Sequence, residues 1–291
     1  MSENRSEAFA IPFDPARFCG AKNLLSLIEA ENDFHPSLSV PGKAKRTLNT
    51  RSREGNTHIG SLGEGTLHLV LKNYISENPD EQEVPFGKKF IDVMVDGHAC
   101  EVQTRNFSAL KPKLLSFLPS LPVTVVYPVF CEKRIGWVDP ETGERSAMRK
   151  SPKKGSVYSI FSELIYIKDF LTDKNLSFSV FLMAGEELRL LCGKRSADRK
   201  KGSVRIDRIP TALYDVVSFS SARDFLRLLP PDDPFSVKTL CAFGGIDSEL
   251  ARKMLYCLTR AGLLEAKKGT GREKNYYRTQ NSLQNTTEES T

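Results

Sequence analysis

The chain has 291 residues, 42 Lys+Arg against 36 Asp+Glu and a net charge of +6, which sets a prior of two domains and a mild lean toward polyanionic partners. No apolar run approaches the roughly 18–20 residues of a membrane span and no signal-type core follows the N-terminus, so a soluble, cytoplasmic protein without a membrane partner is expected. Six cysteines form no C-x-x-C pair, which argues against a zinc site or disulfide framework and for small core hydrophobes in a reducing compartment.

Residues 1–56 form a variable N-terminal segment, with helical spacing at Leu24, Leu25 and Ile28 and a basic run from Lys43 to Arg53. The next helix carries Leu67, Val70, Leu71 and Tyr74 on one stripe. Glu64 lies one turn before His68 at the border of that stripe. It either looks inward at a sheet or is favoured at the helix start by the dipole. His68 reads as a boundary residue satisfied by a partner. Asn78-Pro79-Asp80 ends the helix, and Glu83 to Phe86 is a short first strand.

The segment from Phe90 to Gln103 then reads as a hairpin. Asp96-Gly97 separates two alternating apolar runs and supplies the two positive-φ positions of a tight turn. With those two residues as the loop, Val95 faces His98, Val93 faces Cys100 and Asp92 faces Glu101. Directly opposed Cβ atoms lie about 4.5–5.5 Å apart, and like charges there repel. A divalent cation relieves that repulsion, since hard cations take carboxylate oxygens; a solvated polar face is the other reading of the same pattern. Gln103 shares the face of Glu101 by period-2 alternation.

After the hairpin, Ser108 is a candidate cap for a helix with Leu110, Leu114, Leu115 and Leu118 on its apolar side, and Pro112 belongs in its first turn. Pro122 to Phe130 is a continuous apolar run, the signature of a central strand that is parallel to the hairpin and reached by a right-handed crossover. Arg134 to Val138 reads as a separate strand, with Trp137 as a packing residue, and Val157 to Phe170 has helical spacing. Leu176 to Met183 and Leu188 to Leu191 read as two strands joined through Ala184-Gly185. Gly193 to Arg208 reads as a basic loop, either lying along phosphates or simply solvated. Pro230 to Pro234 is a boundary or elbow. Beyond it come a short helix at Phe235–Phe243, a turn at Gly244-Gly245, and a helix capped by Asp247, with Leu250, Met254, Leu258 and Ala261 inward and Gly262 at its end. A basic hairpin follows, with arms at Leu263 to Ala266 and Asn275 to Arg278, and the tail 279–291 is polar and expected to be disordered.

The run from about Ala222 to Arg278 resembles a winged helix-turn-helix. The resemblance implies a recognition helix bearing Ser248, Glu249, Arg252 and Lys253, and a wing bearing Lys267, Lys268, Arg272 and Lys274 near phosphates. The segment from Ile59 to Phe130 resembles the PD-(D/E)XK nuclease superfamily: an acid on a helix, a hairpin carrying Asp and then Glu-x-Lys, a helix and a parallel strand. On that resemblance Glu64, Asp92, Glu101 and Gln103 are the catalytic set, with Gln103 where the family has lysine. Lys72, Lys111 or Lys113 are candidates to supply the missing charge.

The resemblance implies an α/β fold, a mixed sheet flanked by helices over residues 57–218, with a winged-helix domain over 219–278. It further implies Mg²⁺ or Mn²⁺ held by Asp92, Glu101 and the Val102 carbonyl, and DNA as partner through Arg105, Lys111, Lys113 and the C-terminal basic residues. Gln103 would orient the attacking water. A homodimer is the assembly to test. The alternatives are a catalytically inactive nuclease-fold DNA-binding or regulatory protein, and a protein-interaction module without DNA affinity.

Overall fold

The computed structural model describes residues 10–18, 65–191, 202–269, 271 and 273–280. The expected helix at residues 21–30, the residue Glu64, most of the basic stretch 193–208, Arg272 and nearly all of the tail lie outside them. Helix α1 (Thr66–Ile75) precedes strands β1 (Gln82–Phe86), β2 (Lys89–Val95) and β3 (His98–Val102). Then come α2 (Lys111–Phe117), β4 (Val123–Val138), β5 (Arg149–Lys150), a one-turn α3 (Phe161–Leu164), β6 (Leu176–Leu191) and β7 (Ser203–Phe219). Helices α4 (Val237–Gly244) and α5 (Ser248–Arg260) and the hairpin β8 (Leu264–Lys268) and β9 (Lys274–Arg278) complete the described elements. No helix among the described residues is long and apolar enough to cross a membrane.

The fold is α/β, with a seven-stranded mixed sheet in the order β1-β2-β3-β4-β6-β7 and β5 paired to β4. The β2–β3 turn has the predicted form: Asp96 and Gly97 hold φ of 49° and 77°, and Val93 pairs with Cys100 and Val95 with His98. Strand β4 runs parallel to both β3 and β6. Several expected boundaries dissolve into longer strands. The two strands expected at Pro122–Phe130 and Arg134–Val138 are one, interrupted by a register shift at Phe130/Glu132, because β6 pairs along its whole length. Leu176–Leu191 is likewise continuous through Ala184-Gly185, and Ser203–Arg208 is strand rather than loop. These are tertiary effects: pairing partners on each side supply hydrogen bonds that local turn signals do not anticipate.

Helix α1 covers one face of the sheet, where Leu67, Val70, Leu71 and Tyr74 pack with Val93, Cys100, Val126 and Phe181. Part of the supposedly variable N-terminus belongs here. Ile11 and Phe18 are buried in this core, and Tyr74 accepts the Asp14 N–H at 2.8 Å and donates to the Pro12 carbonyl. The other face is covered by α2, the turns around Tyr158 to Leu164, and the C-terminal helices. Helix α2 begins at Lys111 with Pro112 in its first turn. Leu115 is 67% exposed while Phe117 is fully buried, because the helix turns the i, i+4, i+7 positions Leu110, Leu114 and Phe117 inward.

The residues after β7 share this second core. Phe225 stacks on Phe219 at 4.1 Å between centroids and meets Phe161 and Phe178 edge-on or tilted. Tyr158 donates to the Leu228 carbonyl at 2.9 Å, and an added Cβ on Gly244 would lie 2.9 Å from the Tyr158 ring, so α4 ends flush against the sheet layer. The elbow before α4 is clasped by Arg278, whose guanidinium meets Asp233 and the carbonyls of Pro230 and Pro231. Asp247 caps α5 through the Leu250 N–H at 2.8 Å. Phe225→Ala is expected to cost about 3–5 kcal/mol. Because the core is continuous, urea unfolding monitored by the single Trp137 and by far-ultraviolet circular dichroism should shift together for this variant, as one transition.

Candidate active site

Past Val93 and Cys100 the β2–β3 pair is tied by side chains in place of ladder bonds. Asp92 Oδ2 accepts the Val102 N–H at 2.9 Å, and Glu101 Oε1 accepts the Asp92 N–H at 3.3 Å. Each carboxylate thus satisfies a backbone donor of the opposite strand, which fixes both side chains where the strands part. The sequence register placed these acids opposite one another, and both are buried, at 8% and 1% exposure. Their remaining oxygens converge on one atom: Lys113 Nζ lies 3.0 Å from Asp92 Oδ1 and 2.7 Å from Glu101 Oε2. His68 Nε2 approaches Asp92 Oδ2 from α1 at 3.3 Å.

The electrostatics separate the two acids. Burial acts to raise Asp92, but the His68 hydrogen bond and the Lys113 charge outweigh it and hold the carboxyl at about 2. Burial pushes Glu101 up to about 8, and the Asp92 charge acts in the same direction against Lys113. Lys113 is raised above its ordinary value: burial acts to lower it, and the two carboxylates prevail. The two acids are thus driven apart, Asp92 giving up its proton the more readily and Glu101 holding its own to higher pH.

Gln103 does not join the acids. Its amide nitrogen donates to the carbonyls of Arg105 and Asn106, so it shapes the loop after β3, and the position beside the carboxylates belongs to Lys113. The reason is geometric: the first turn of α2 packs over the parting strands, and a lysine stem reaches where the amide of Gln103 has turned away. Val102 is buried, with its N–H spent on Asp92. Arg105 and Lys111 are exposed at the rim. The acid that caps the start of α1 is Asp207 of β7, which accepts the Thr66 N–H at 3.1 Å and the Thr66 hydroxyl.

Asp92 and Glu101 offer hard oxygens of the kind Mg²⁺ or Mn²⁺ takes, and Lys113 Nζ occupies the point on which they converge. Among the described residues no group of three or more His, Cys, Asp or Glu is placed to hold a metal ion, although His68 reaches Asp92. Cys100, Cys131, Cys241 and Cys257 are free thiols.

The C-terminal polar residues are partly engaged with one another. Arg252 Nη1 donates to Ser248 Oγ at 3.0 Å, Lys253 pairs with Glu249 at 2.7 Å, and Lys267 pairs with Glu265 at 3.2 Å while covering Tyr277. Lys268 and Lys274 are exposed and directly opposed across β8–β9.

Sequence reasoning missed His68 as the Asp92 partner and Asp207 as the helix cap. His68 carried a usable signal, its place at the edge of the apolar stripe; Asp207, 141 residues from Thr66, carried none.

Residues 65–220 match the family described as Domain of unknown function (DUF8091), from the residue before α1 to the end of β7. A Treponema pallidum (strain Nichols) protein named "Uncharacterized protein" is 32% identical over 168 residues. The match covers 57% of this chain and 64% of that relative, so the chain spans less than two thirds of the relative's length. No solved structure matches the chain.

The raised Glu101 carboxyl has a consequence for stability. Its proton is held to about pH 8 in the folded state against about 4.5 in the unfolded chain. The contribution is therefore complete below about 4.5 and is lost as pH rises toward 8. Chemical denaturation at intervals across this window should show the native protein losing stability relative to Glu101→Gln, by up to about 1.4 kcal/mol per pH unit.

Proposed function

The chain belongs to the DUF8091 family, and from that premise we propose that it is a metal-dependent nuclease of PD-(D/E)XK type that hydrolyses phosphodiester bonds in DNA. The observation that carries the reading is the convergence of Asp92 Oδ1 and Glu101 Oε2 on the Lys113 ammonium at the parting of two strands. Two acids on a hairpin, followed by a helix and a parallel strand, resemble the element order of that superfamily, with the lysine supplied from α2 in place of the hairpin position held by Gln103.

Asp92, Glu101 and the Val102 carbonyl would hold Mg²⁺ or Mn²⁺; when bound, such an ion lowers the pKa of its water and neutralises charge on the phosphoryl oxygens. Glu101 must release the proton that burial stabilises before it can serve as a ligand. Asp92, already ionised, is kept in orientation by His68 and the Val102 N–H. Lys113 keeps its proton at Nζ because its value is raised, so it would supply the positive charge that Gln103 lacks, beside the water that the family lysine helps to position or activate.

The C-terminal helices and hairpin read as a winged helix-turn-helix that delivers the duplex. The opposed Lys268 and Lys274 repel each other unless an anion such as a phosphate lies over the hairpin. A second reading, a catalytically silent DNA-binding or regulatory protein, draws on the same lysine: an ammonium already neutralises the acids without a metal.

The purified full chain, incubated with plasmid and single-stranded DNA, should cleave with Mg²⁺ or Mn²⁺ and not with chelator. Asp92→Asn, Glu101→Gln and Lys113→Ala should each lower the rate by about 10²–10³-fold, while the two acid variants keep their DNA affinity in chelator and Lys113→Ala weakens it by the loss of one phosphate-facing charge. Cleavage that survives Asp92→Asn combined with Glu101→Gln would overturn the assignment of these acids as the active site, and no cleavage by the wild-type chain with either metal would favour the silent reading.

A further inference from the structure

A second cleft, about 200 Å³ in volume, opens beside the carboxylate pair and shares His68 with it. Its lining brings together Arg105 from the loop after β3 and Arg205 and Arg208 from β7. Strict alternation would put residues three apart on opposite faces of a strand. The register shift between Leu188 and Arg189 removes that restriction: Asp207 pairs with Leu188 and Arg205 with Arg189, leaving Ile206 as the extra residue that lets both arginines line one cleft.

Among the described residues the cationic charge of the lining is only partly balanced. Asp207, the acid of the lining among them, is spent on the Thr66 N–H, the Thr66 hydroxyl and the Arg208 N–H. Arg205 reaches Glu187 at 3.5 Å, but that carboxylate already takes Lys133 at 2.8 Å and Arg189 at 2.7 Å. No carboxylate among the described residues pairs with Arg105 or Arg208. Desolvation lowers Arg208 to about 10, and Arg205 and Arg105 push it the same way, while Glu187, opposite it across β6–β7, acts against them.

We infer that this cleft is a binding subsite for a phosphodiester of a nucleic-acid strand, gripped by Arg105, Arg205 and Arg208 next to the bond presented to Asp92 and Glu101. Planar guanidiniums match phosphate oxygens two at a time, and a phosphate would relieve three cations held close together. The identity of the ligand rests on the hydrolase reading; the existence of an anion site does not. In this picture Gln103 is a positioning residue, since its amide ties down the Arg105 and Asn106 carbonyls.

The test is anisotropy of a labelled single-stranded oligonucleotide with the full chain in chelator over a range of salt concentrations, beside the cleavage assay. Arg105→Ala and Arg205→Ala should each flatten the slope of log K against log salt by about 0.7, and together by about 1.4. Arg208→Lys, which keeps the charge but not the fork, should weaken binding without lowering the melting temperature, while Asp92→Asn leaves the slope unchanged. Wild-type slope and affinity in the Arg105→Ala, Arg205→Ala double variant would overturn the subsite, whatever the fate of cleavage. If that double variant loses binding while Asp92→Asn cleaves at the wild-type rate, the anion site stands and the placement of the hydrolase site at the carboxylate pair fails. If inorganic phosphate at matched ionic strength displaces the labelled strand as effectively as unlabelled oligonucleotide does, the strand assignment is overturned in favour of a free phosphate ligand.

Discussion

Two carboxylates buried on adjacent strands repel each other strongly in a medium that screens charge poorly, and the surroundings of Asp92 and Glu101 answer that repulsion at every available atom. One oxygen of each acid takes a backbone N–H from the opposite strand, and the other turns to Lys113. The ladder opens here without leaving these donors unsatisfied, which is how a β-sheet accommodates a charged site at the place where its strands diverge. Removing one partner of such a cluster leaves the others buried and uncompensated, so the cluster specifies the local geometry more than it adds net stability.

The layers on each side supply different parts of the site. Helix α1 brings His68 from one face, and α2 brings Lys113 from the other. Both helices are held by apolar stripes in separate cores, so the acids sit where two independently packed layers meet. Long β7 connects this region with the C-terminal helices. Its start lines the arginine cleft and its end leads into the Phe219–Phe225 stack. The C-terminal helices are thereby seated on the core that also holds α2, which fixes their relation to the carboxylates.

Charge is distributed to match. The +6 balance is modest, and much of the basic surface is paired internally, as with Lys253, Lys267 and Arg278. Two groups of cations are crowded together by the fold: the arginines at the start of β7 with Arg105, and the opposed lysines of the last hairpin. Crowded cations are a stronger argument for a polyanion than the net total, because the fold bears their repulsion in the absence of a ligand.

Local chemistry determined a good part of this. The positive-φ demand of a two-residue turn at Asp96-Gly97 set the hairpin register, and period-2 alternation then placed Asp92 against Glu101. Helical periodicity identified α1 and α5, and side-chain capping identified the start of α5 at Asp247. These features depend on residues within a turn or two of one another. What the sequence left open depended on distant partners. Lys113 could be named only as one of three candidate lysines, because which helix stem reaches the acids is set by how α2 packs. The continuity of β4 and β6 came from pairing along their full lengths, against local turn signals at Ala184-Gly185. The arginine cleft needed a bulge and a neighbouring loop to assemble, and Asp207 reaches Thr66 only because the chain returns to it after 141 residues. Dihedral preferences and alternation act along the chain and can be read from it; the convergence of charges acts across space and is decided when the layers close.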